Sequence, residues 1–557
     1  MNATDMPRAS GAIDAKGAPR QRTAADDRVV LVARLSQIAQ YDVLVIGGGA
    51  TGLGVAVDAA NRGLSVALVE SDDFAKGTSS RATKMLHGGV RYLAQGDIAL
   101  VREALRERTT LMKNAPHLAQ PIPFLMPVFG ARGRLFDKWF YGAGLMAYDV
   151  LAGKAGLGKT AFLSKAETKK RMPGVRDDNL TGAVEYWDGQ FDDAGLAIAL
   201  ARTASALGAC VVNHCAVTGL LHEKQKVAGA VVTDRISGGQ HEVRAKCVIN
   251  ATGVWVDSIR RMDRSEASEM VAPSQGVHLV VDSSFLPGKH AMLVPKTADG
   301  RVLFAVPWLG KVILGTTDTP RDDITREPNA FPEEIRFILD EAGNYLARKP
   351  SASDVRSVWV GLRPLVRPPD DDGDNTKGLS REHTVLVGQS SLVTVTGGKW
   401  TTYRVMAQDV LEQCITSGLV QPPRSTSTTN LRLCGTGPGD RHAISDPPGL
   451  HLYGSDAETI LALDGAGNEL AGGLTEAMVR FAARYQYART VEDVLARRSR
   501  LLFLDAAAAN AVAHEVGSIL RDELGQSFAA DTSVAQFRQL AQGYQLAASP
   551  APATAKV

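Results

Sequence analysis

The chain has 557 residues, of which 45% are hydrophobic and 22% are charged, a composition typical of globular proteins rather than of disordered or collagen-like chains. Its 62 basic and 60 acidic residues give a formal net charge of +2. This balance argues against a nucleic-acid-binding protein, because such proteins rely on many phosphate contacts. The five scattered cysteines predict neither a disulfide framework nor a metal site, and they favour a reducing compartment.

Both ends of the chain are predicted to be flexible tails. Residues 1–38 lack the apolar core of a signal peptide, and we expect them to end in a short helix around Val29–Ile38. Residues 546–557 are rich in Ala and Pro and form the second tail. Because no uninterrupted run of about 18 apolar residues exists between them, no transmembrane helix is predicted.

The first strong pattern begins at Tyr41–Ile46, which reads as a buried parallel strand and leads into a glycine-rich turn. Gly47 allows the tight turn, Gly49 lets the backbone approach a pyrophosphate, and Gly52 lets the next helix pack on the strand. A second strand then ends in Glu70, whose carboxylate suits ribose hydroxyls and disfavours a 2′-phosphate. This order of strand, glycine turn, helix, strand and carboxylate predicts a dinucleotide-binding site. The pattern alone does not decide whether the dinucleotide is NAD or FAD.

Five further motifs decide between the two cofactors. In chain order they are Gly77–Leu93, Asn250–Gly253, Leu314–Asp318, Gly361–Leu365 and Gly397–Arg404. With these motifs the sequence resembles the FAD-dependent sn-glycerol-3-phosphate dehydrogenases, a family of the D-amino-acid-oxidase-like flavoproteins. The resemblance runs from about residue 40 to 410 and continues more loosely through a helical C-terminus.

The resemblance implies an α/β fold. It consists of a two-dinucleotide-binding, Rossmann-like FAD domain at 39–430, interleaved with a mixed-sheet substrate domain at roughly 116–190 and 274–380. An all-α cap domain is expected at 431–545, because helical periodicity marks its sequence. The periodic segments are Glu476–Tyr487, Val491–Leu501 and Ala506–Leu524, with a capping box at Thr490–Asp493. Arg497, Arg498 and Arg500 are expected by default on a solvated face, and contacts with the flavin domain or a partner are the alternative.

Non-covalently bound FAD is the cofactor that the resemblance implies. A helix opened by Gly397 and Gly398, predicted from Trp400 to Glu412, would place its positive end against the flavin pyrimidine. The residues expected to contact FAD are Gly47, Gly49, Gly52, Glu70, Thr78, Ser79, Ser80, Lys84, Leu86, His87, Val217, Ala251, Thr252, Gly253, Gly397, Gly398, Lys399, Thr401 and Thr402.

The activity implied by the resemblance is the oxidation of glycerol 3-phosphate to dihydroxyacetone phosphate. Hydride would pass from C2 to the flavin N5, and the electrons would go on to a membrane quinone, ubiquinone or menaquinone. A phosphate dianion needs convergent cations, and arginine binds it best. The residues expected to bind substrate are Arg91, Tyr92, His278, Arg363, Arg381 and Lys399, although an arginine taken alone is more often a surface ion-pair residue.

His278, Arg363 and Lys399 are the expected catalytic residues. His278 is expected to begin a strand of the substrate-binding half and is favoured as proton acceptor, because imidazole titrates near neutral pH. His87, in a His-Gly-Gly turn, is expected to position the flavin instead. An ordered water remains an alternative acceptor.

Residues 131–175 predict a membrane contact. They carry nine basic and three acidic side chains, a net charge of +6, interleaved with aromatic groups. Such a segment suits an interface with anionic lipid, although a core-packed helix fits equally well. With quinone delivery in the family, we expect peripheral attachment to the cytoplasmic side of a bacterial inner membrane; the absence of EF-hand motifs and of a presequence favours a bacterial cytoplasmic protein. A homodimer is also considered.

Three other functions remain open. An oxidase of the same family would share these motifs and reduce oxygen. An amino-acid dehydrogenase on the same fold is disfavoured by the arginines, and a flavin-binding interaction protein without turnover is disfavoured by the intact motifs.

Overall fold

A computed structural model describes residues 28–89, 97–130, 135–295, 297, 300, 302–367, 382–437 and 442–546, without the side chains of residues 135–141, 143, 147 and 154. The strands are β1 (Tyr41–Ile46), β2 (Val66–Val69), β3 (Met85–Leu86), β4 (Ala119–Phe129), β5 (Ala161–Ser164), β6 (Leu180–Phe191), β7 (Cys210–Val212), β8 (Cys215–Glu223), β9 (Lys226–Asp234), β10 (Gln240–Asn250), β11 (Val271–Asp282), β12 (Ala291–Val294), β13 (Leu303–Trp308), β14 (Lys311–Gly315), β15 (Thr319–Pro320), β16 (Ser357–Val366), β17 (His383–Val387), β18 (Val393–Gly397), β19 (Glu469–Ala471) and β20 (Leu474–Thr475). The α-helices are α1 (Arg28–Gln37), α2 (Ala50–Asn61), α3 (Ile98–Asn114), α4 (Leu135–Ala152), α5 (Lys165–Arg171), α6 (Asp193–Ala206), α7 (Val256–Asp263), α8 (Pro332–Gly343), α9 (Tyr403–Thr416), α10 (Ala457–Leu461), α11 (Glu476–Tyr485), α12 (Leu501–Leu504), α13 (Ala506–Ala511), α14 (Ala513–Leu524) and α15 (Ala530–Gln542).

The first sheet has the strand order β17-β18-β10-β1-β2-β7, with β9 and β8 continuing from β10. Strands β18, β10, β1, β2 and β7 run parallel to their neighbours, as expected of short apolar strands covered on both faces. Strands β9 and β10 pair antiparallel as a hairpin, and β10 leads into the Asn250–Gly253 motif. One long strand, β10, therefore supplies both the hairpin arm and the parallel strand that returns to the glycine turn.

The second sheet has the order β15-β11-β14-β13-β12-β4-β6-β3, with β16 also paired to β11 and β5 to β6. It is mixed: β12 runs parallel to β4, whereas β11 and β16 pair antiparallel over ten residues. Its strands come from residues 85–191 and 271–366 and alternate in sequence with those of the first sheet. The mixed α/β class with an interleaved second sheet is confirmed, and the domain boundaries given above remain a proposal.

The C-terminal region from about residue 450 is helical, with one short hairpin of β19 and β20. Two predicted helices are interrupted. Val491–Leu501 becomes a π-helical segment at Asp493–Arg498 followed by α12, and Ala506–Leu524 is divided into α13 and α14. Its apolar core extends to Trp308 and Trp359 of the second sheet, so the cap packs directly on that sheet.

The predicted capping box is present, because the Asp493 N–H donates to Thr490 Oγ1 and the Thr490 N–H donates to Asp493 Oδ2, both at 3.1 Å. Arg497, Arg498 and Arg500 do not lie on a solvated face: all three are buried and contact residues of the 39–430 region, which is the alternative stated above. Arg498 pairs with Asp73 at 2.5 Å, and the Arg500 Nη2 donates to the Ser80 carbonyl at 2.8 Å.

The predicted N-terminal helix is confirmed as α1, which buries Leu31, Val32 and Leu35. Among the described residues, no helix has the length and apolar character needed to cross a bilayer.

Candidate functional site

A cavity of about 480 Å³ lies between the two sheets. One side is lined by segments that follow strands of the first sheet, which we call the cofactor wall: Gly47–Thr51 in part, Glu70, Val217, Ala251–Gly253 and Gly397–Thr401. The other side is lined by strands β11 and β16 of the second sheet, which we call the substrate wall: Gly276, His278, Gly361, Arg363 and Pro364. The cavity thus joins the two halves of the fold.

The cofactor wall is formed mainly by backbone. Gly47 has φ +112°, and a Cβ there would lie 2.6 Å from the Ala251 carbonyl oxygen. A side chain at Gly52 would overlap the Gly47 carbonyl, which explains how α2 packs so closely on the turn. Gly49 is the N-cap of α2 and makes no side-chain cap, so the positive end of the helix faces the cavity.

Glu70 closes the far end of this wall. Its Oε2 accepts from the Gly48 N–H at 2.6 Å, and its Oε1 accepts from the Asp72 N–H at 2.9 Å. Burial raises the pKa of this carboxyl group. Together the helix terminus, the glycine turn and the carboxylate fit a dinucleotide such as FAD, whose pyrophosphate would meet the turn and whose ribose would meet Glu70.

The second glycine pair leads into a short 3₁₀ turn, Trp400–Thr402, and then into α9, so the predicted helix is confirmed from Tyr403 onward. Gly398 lines the cavity with φ +77°. The Trp400 indole N–H donates to the Ser79 carbonyl at 2.8 Å and ties this turn to the Gly77–Leu93 motif.

The expectation that His278 begins a strand is wrong: His278 is the eighth residue of β11, and it is buried on the substrate wall. Its Nε2 is 3.0 Å from Thr83 Oγ1, and its ring stacks on Trp359 with centroids 4.0 Å apart. Burial, reinforced by the positive charges of Lys84 and Arg363, lowers the pKa of His278 well below its usual value. A neutral imidazole therefore faces the cavity at neutral pH.

Arg363 lies on β16 opposite Ser274, four residues along β11 from His278, and its guanidinium extends to the position of Gly276 between them. Its Nη1 is 3.3 Å from Asp318 Oδ1, and its Nη2 donates to the Thr317 carbonyl at 2.9 Å. Ser274 donates to the same Asp318 oxygen. The Leu314–Asp318 motif therefore orients the guanidinium, and no side chain fits at Gly276, where a Cβ would overlap it.

The structure brings most of the predicted residues to one cavity. Of the substrate and catalytic set, His278, Arg363 and Lys399 line it, whereas Arg91, Tyr92 and Arg381 lie outside the described residues. Of the cofactor set, the residues that line it are Gly47, Gly49, Glu70, Thr78, Ser79, His87, Val217, Ala251, Thr252, Gly253, Gly397, Gly398, Lys399 and Thr401.

Five predicted cofactor contacts are not among the residues that line the cavity: Gly52, Ser80, Lys84, Leu86 and Thr402. Gly52 acts through helix packing, Leu86 and Ser80 are buried, and Thr402 donates to the Lys399 carbonyl at 3.3 Å. The Lys84 ammonium is fully buried and pairs with Asp193 Oδ2 at 2.7 Å behind the Trp359 ring.

Sequence patterns missed several cavity residues. The cavity is also lined by Thr83, Arg81 and Trp255, and by Arg326, which lies in the loop between β15 and α8. Thr83 and Arg81 belong to the hydroxyl-rich motif, whose composition was the available signal. Nothing in the local sequence pointed to Arg326.

A second polar cluster lies beneath the cap. Asp73, His214 and Asp493 place donor atoms within 4.8 Å of one another. The carboxylates already pair with Arg498 and Arg497, at 2.5 and 3.0 Å. Because guanidinium groups supply the positive charge there, this cluster serves as an ion-pair network between the first sheet and the cap.

The sequence matches two family models. Residues 42–404 match the FAD dependent oxidoreductase model, and residues 450–531 match the C-terminal domain of alpha-glycerophosphate oxidase.

Comparisons with full-length relatives and with a solved structure point to the same family. The chain is 40% identical over 548 residues to a probable mitochondrial glycerol-3-phosphate dehydrogenase of Caenorhabditis elegans, covering 92% of this chain and 74% of the relative. It is 38% identical to the human mitochondrial glycerol-3-phosphate dehydrogenase, covering 88% and 71%. A crystal structure of the glycerol-3-phosphate dehydrogenase from Bacillus halodurans complexed with FAD superposes with a TM-score of 0.74 at 28% identity, covering 94% and 98%.

Proposed function

The chain belongs to the FAD-dependent oxidoreductases, and within them to the family of glycerol-3-phosphate dehydrogenases; on this premise we propose that it oxidises glycerol 3-phosphate to dihydroxyacetone phosphate and passes the electrons to a membrane quinone. The observation that carries the proposal is that Arg363 and the neutral His278 line the same wall of the cavity, opposite the glycine turns. FAD, when bound, supplies the hydride acceptor for the C2 hydrogen of the substrate.

Arg363 is the proposed phosphate ligand. Its guanidinium is held in one orientation by Asp318 and the Thr317 carbonyl, so little rotamer entropy is lost when a phosphate binds. Lys399, on the opposite wall, adds a second cation to the same cavity. Two convergent cations suit a dianion better than a zwitterionic amino acid, which disfavours the amino-acid dehydrogenase alternative.

His278 is the proposed acceptor of the C2 hydroxyl proton. The stack on Trp359 and the contact to Thr83 fix its ring. Arg363 is one of the charges that lower the histidine pKa. A phosphate dianion bound to Arg363 offsets that charge, so substrate binding raises the pKa of His278 and makes it a better base when it is needed.

Anaerobic mixing with glycerol 3-phosphate tests the reaction. We expect the visible absorbance of the flavin to bleach, and glycerol, which lacks the phosphate, to leave it unchanged. Unchanged flavin absorbance after mixing with glycerol 3-phosphate would contradict both a dehydrogenase and an oxidase activity. Reoxidising the bleached enzyme with a soluble quinone analogue or with oxygen then separates them, because a dehydrogenase reacts far faster with the quinone.

Peripheral membrane binding is the proposed route to the quinone. Residues 131–175 carry nine basic and three acidic side chains, a net charge of +6. Within this segment, Met146 and Val150 of α4 lie four residues apart, and they are exposed by 42% and 81%. An exposed apolar stripe in a basic segment suits anionic lipid.

Vesicle sedimentation tests this contact. We expect the protein to cosediment with vesicles containing anionic lipid and V150D to weaken that binding several-fold. L461D is the matched control, because Leu461 is an exposed apolar residue of the cap, outside the basic segment. Equal binding of both variants would place the membrane contact elsewhere.

A further inference from the structure

Arg326 belongs to a loop, residues 321–331, that reaches from the second sheet to the far end of the cofactor wall. Its Nη1 pairs with Asp72 Oδ2 at 2.5 Å and donates to Ser71 Oγ at 3.1 Å. Its guanidinium also lies over the Trp255 indole, 4.7 Å from the ring centroid. Arg326 lines the cavity together with Ser71 and Glu70. Arg326 therefore lies at the end of the cofactor wall, close to Glu70, the carboxylate expected to bind the ribose.

The loop that carries Arg326 is fixed on both sides. The adjacent Glu327 pairs with Arg81 at 2.7 Å and accepts from the Tyr544 hydroxyl at 3.0 Å. At its start, Arg321 donates to Gln275 Oε1 at 2.6 Å and packs on the Phe331 ring. These contacts join the loop to the Gly77–Leu93 motif, the second sheet and the C-terminal segment. The position of Arg326 is consequently preorganised.

The charge balance at this end of the cavity calls for a cation. Glu70 and Asp72 are both carboxylates. The positive charges of Arg326, Lys76 and Arg235 act on Asp72, and a dinucleotide brings two further negative charges on its pyrophosphate. Within the described residues, Nη1 makes both polar contacts of Arg326, which leaves the other guanidinium nitrogens to donate to an anionic ligand. The planar guanidinium, already stacked on an indole, also suits contact with a second π-face.

We propose that Arg326 is a binding residue for the adenosine diphosphate half of FAD and that the 321–331 loop clasps the cofactor from the second sheet. The cofactor is then held by both halves of the fold. This inference rests on FAD binding and is independent of the substrate.

Two measurements test this proposal. The release of FAD from the diluted holoenzyme is monitored by flavin fluorescence, and the FAD dissociation constant is measured on the apo-form of the full chain. We expect R326A to raise both the release rate and the dissociation constant about tenfold, as befits a charge-assisted contact. R326K, which keeps the charge without the planar fork, should fall between R326A and the unchanged protein. The inhibition constant of ADP, measured as a competitor of FAD binding, should rise by the same factor as the dissociation constant of FAD.

R235A is the matched control. Arg235 pairs with the other Asp72 oxygen at 2.6 Å, and its side chain is 50% exposed against 45% for Arg326, but it does not line the cavity. We expect it to change FAD binding less than twofold. A dissociation constant for R326A within twofold of that for R235A overturns the proposal, because any loss would then act through Asp72. Equal thermal midpoints of the two apo-proteins exclude a folding effect.

Discussion

The two walls of the cavity hold their ligands by different means. The cofactor wall presents backbone at Gly47 and Gly49 and the start of α2. The substrate wall presents side chains, His278 and Arg363, whose orientation depends on partners from other elements. Backbone recognition needs space and a turn, which a short local sequence specifies. Recognition by side chains depends on partners from several elements of the folded chain. Single substitutions therefore alter it more easily than they alter recognition by backbone.

The difference predicts separable failures. Damage to the cofactor wall removes FAD and with it every activity, whereas damage to the substrate wall leaves a normally coloured flavoprotein that binds or oxidises its substrate poorly.

Gly47→Ala should produce the largest effect. A Cβ there would meet the Ala251 carbonyl at 2.6 Å at φ +112°, so the turn must move away from the pyrophosphate. We expect the purified variant to contain less than about a tenth of the normal FAD, measured by absorbance. Gly208→Ala is the control, since φ is +102° there but a Cβ would meet nothing within 4 Å. Both carry a left-handed strain of about 1–2 kcal/mol, and equal FAD loss in both would attribute the effect to strain alone.

Arg363→Ala should come next and affect the other wall. Losing the charge-assisted phosphate contact is expected to raise KM and lower kcat/KM by about 10²–10³-fold, while FAD stays bound. Steady-state kinetics and the flavin spectrum measure the two properties on one sample. An unchanged KM would move the phosphate site away from β16.

Thr83→Val should have a smaller effect, on kcat. It removes the hydroxyl 3.0 Å from His278 Nε2 and keeps the side-chain shape. One neutral hydrogen bond corresponds to a loss in kcat of about three- to tenfold, with KM nearly unchanged. Thr83→Ser, which retains the hydroxyl, should restore kcat; if it is as slow as the valine variant, the hydroxyl does not orient the histidine.

The contrast between the walls also explains what the sequence could predict. Strand β1, the glycines after it and Glu70 lie within 30 residues of one another, so strand period and turn chemistry sufficed. His278 and Arg363 were reached only through the resemblance, because their meeting depends on the pairing of β11 with β16, about 85 residues apart.

Other features depended on tertiary context and were missed. Lys84 stands in a motif that contacts the cavity, yet its positive φ of 63° and its pairing with Asp193 turn the ammonium away. Strand β4 carries Pro121, Pro123 and Pro127, which argue against a strand in the middle of a sheet. Burial of Arg497, Arg498 and Arg500 required knowledge of Asp73 and Asp193, more than 300 residues earlier.

The last test concerns charge behind the substrate wall. Lys84 contacts the Trp359 ring on which His278 stacks. It lowers the pKa of the histidine together with burial and Arg363. Burial lowers the pKa of Lys84 itself to about 7, opposed by Asp193, so the lysine is charged on the acidic side of neutrality. If neutral His278 accepts the proton, removing that charge raises its pKa and moves the acidic limb of the rate profile to higher pH.

Lys84→Gln makes this change, and Asp193 keeps Arg500 as a cationic partner at 3.2 Å, so no buried carboxylate is left unpaired. We expect kcat/KM at pH 5.5 to fall several-fold relative to the unchanged enzyme and the two enzymes to agree at pH 8, where Lys84 is largely neutral. The ionisation of the substrate phosphate is common to both profiles and cancels in their ratio. A ratio constant from pH 5.5 to 8 would mean that Lys84 only supports packing, and a uniform loss at every pH would indicate a distorted substrate wall.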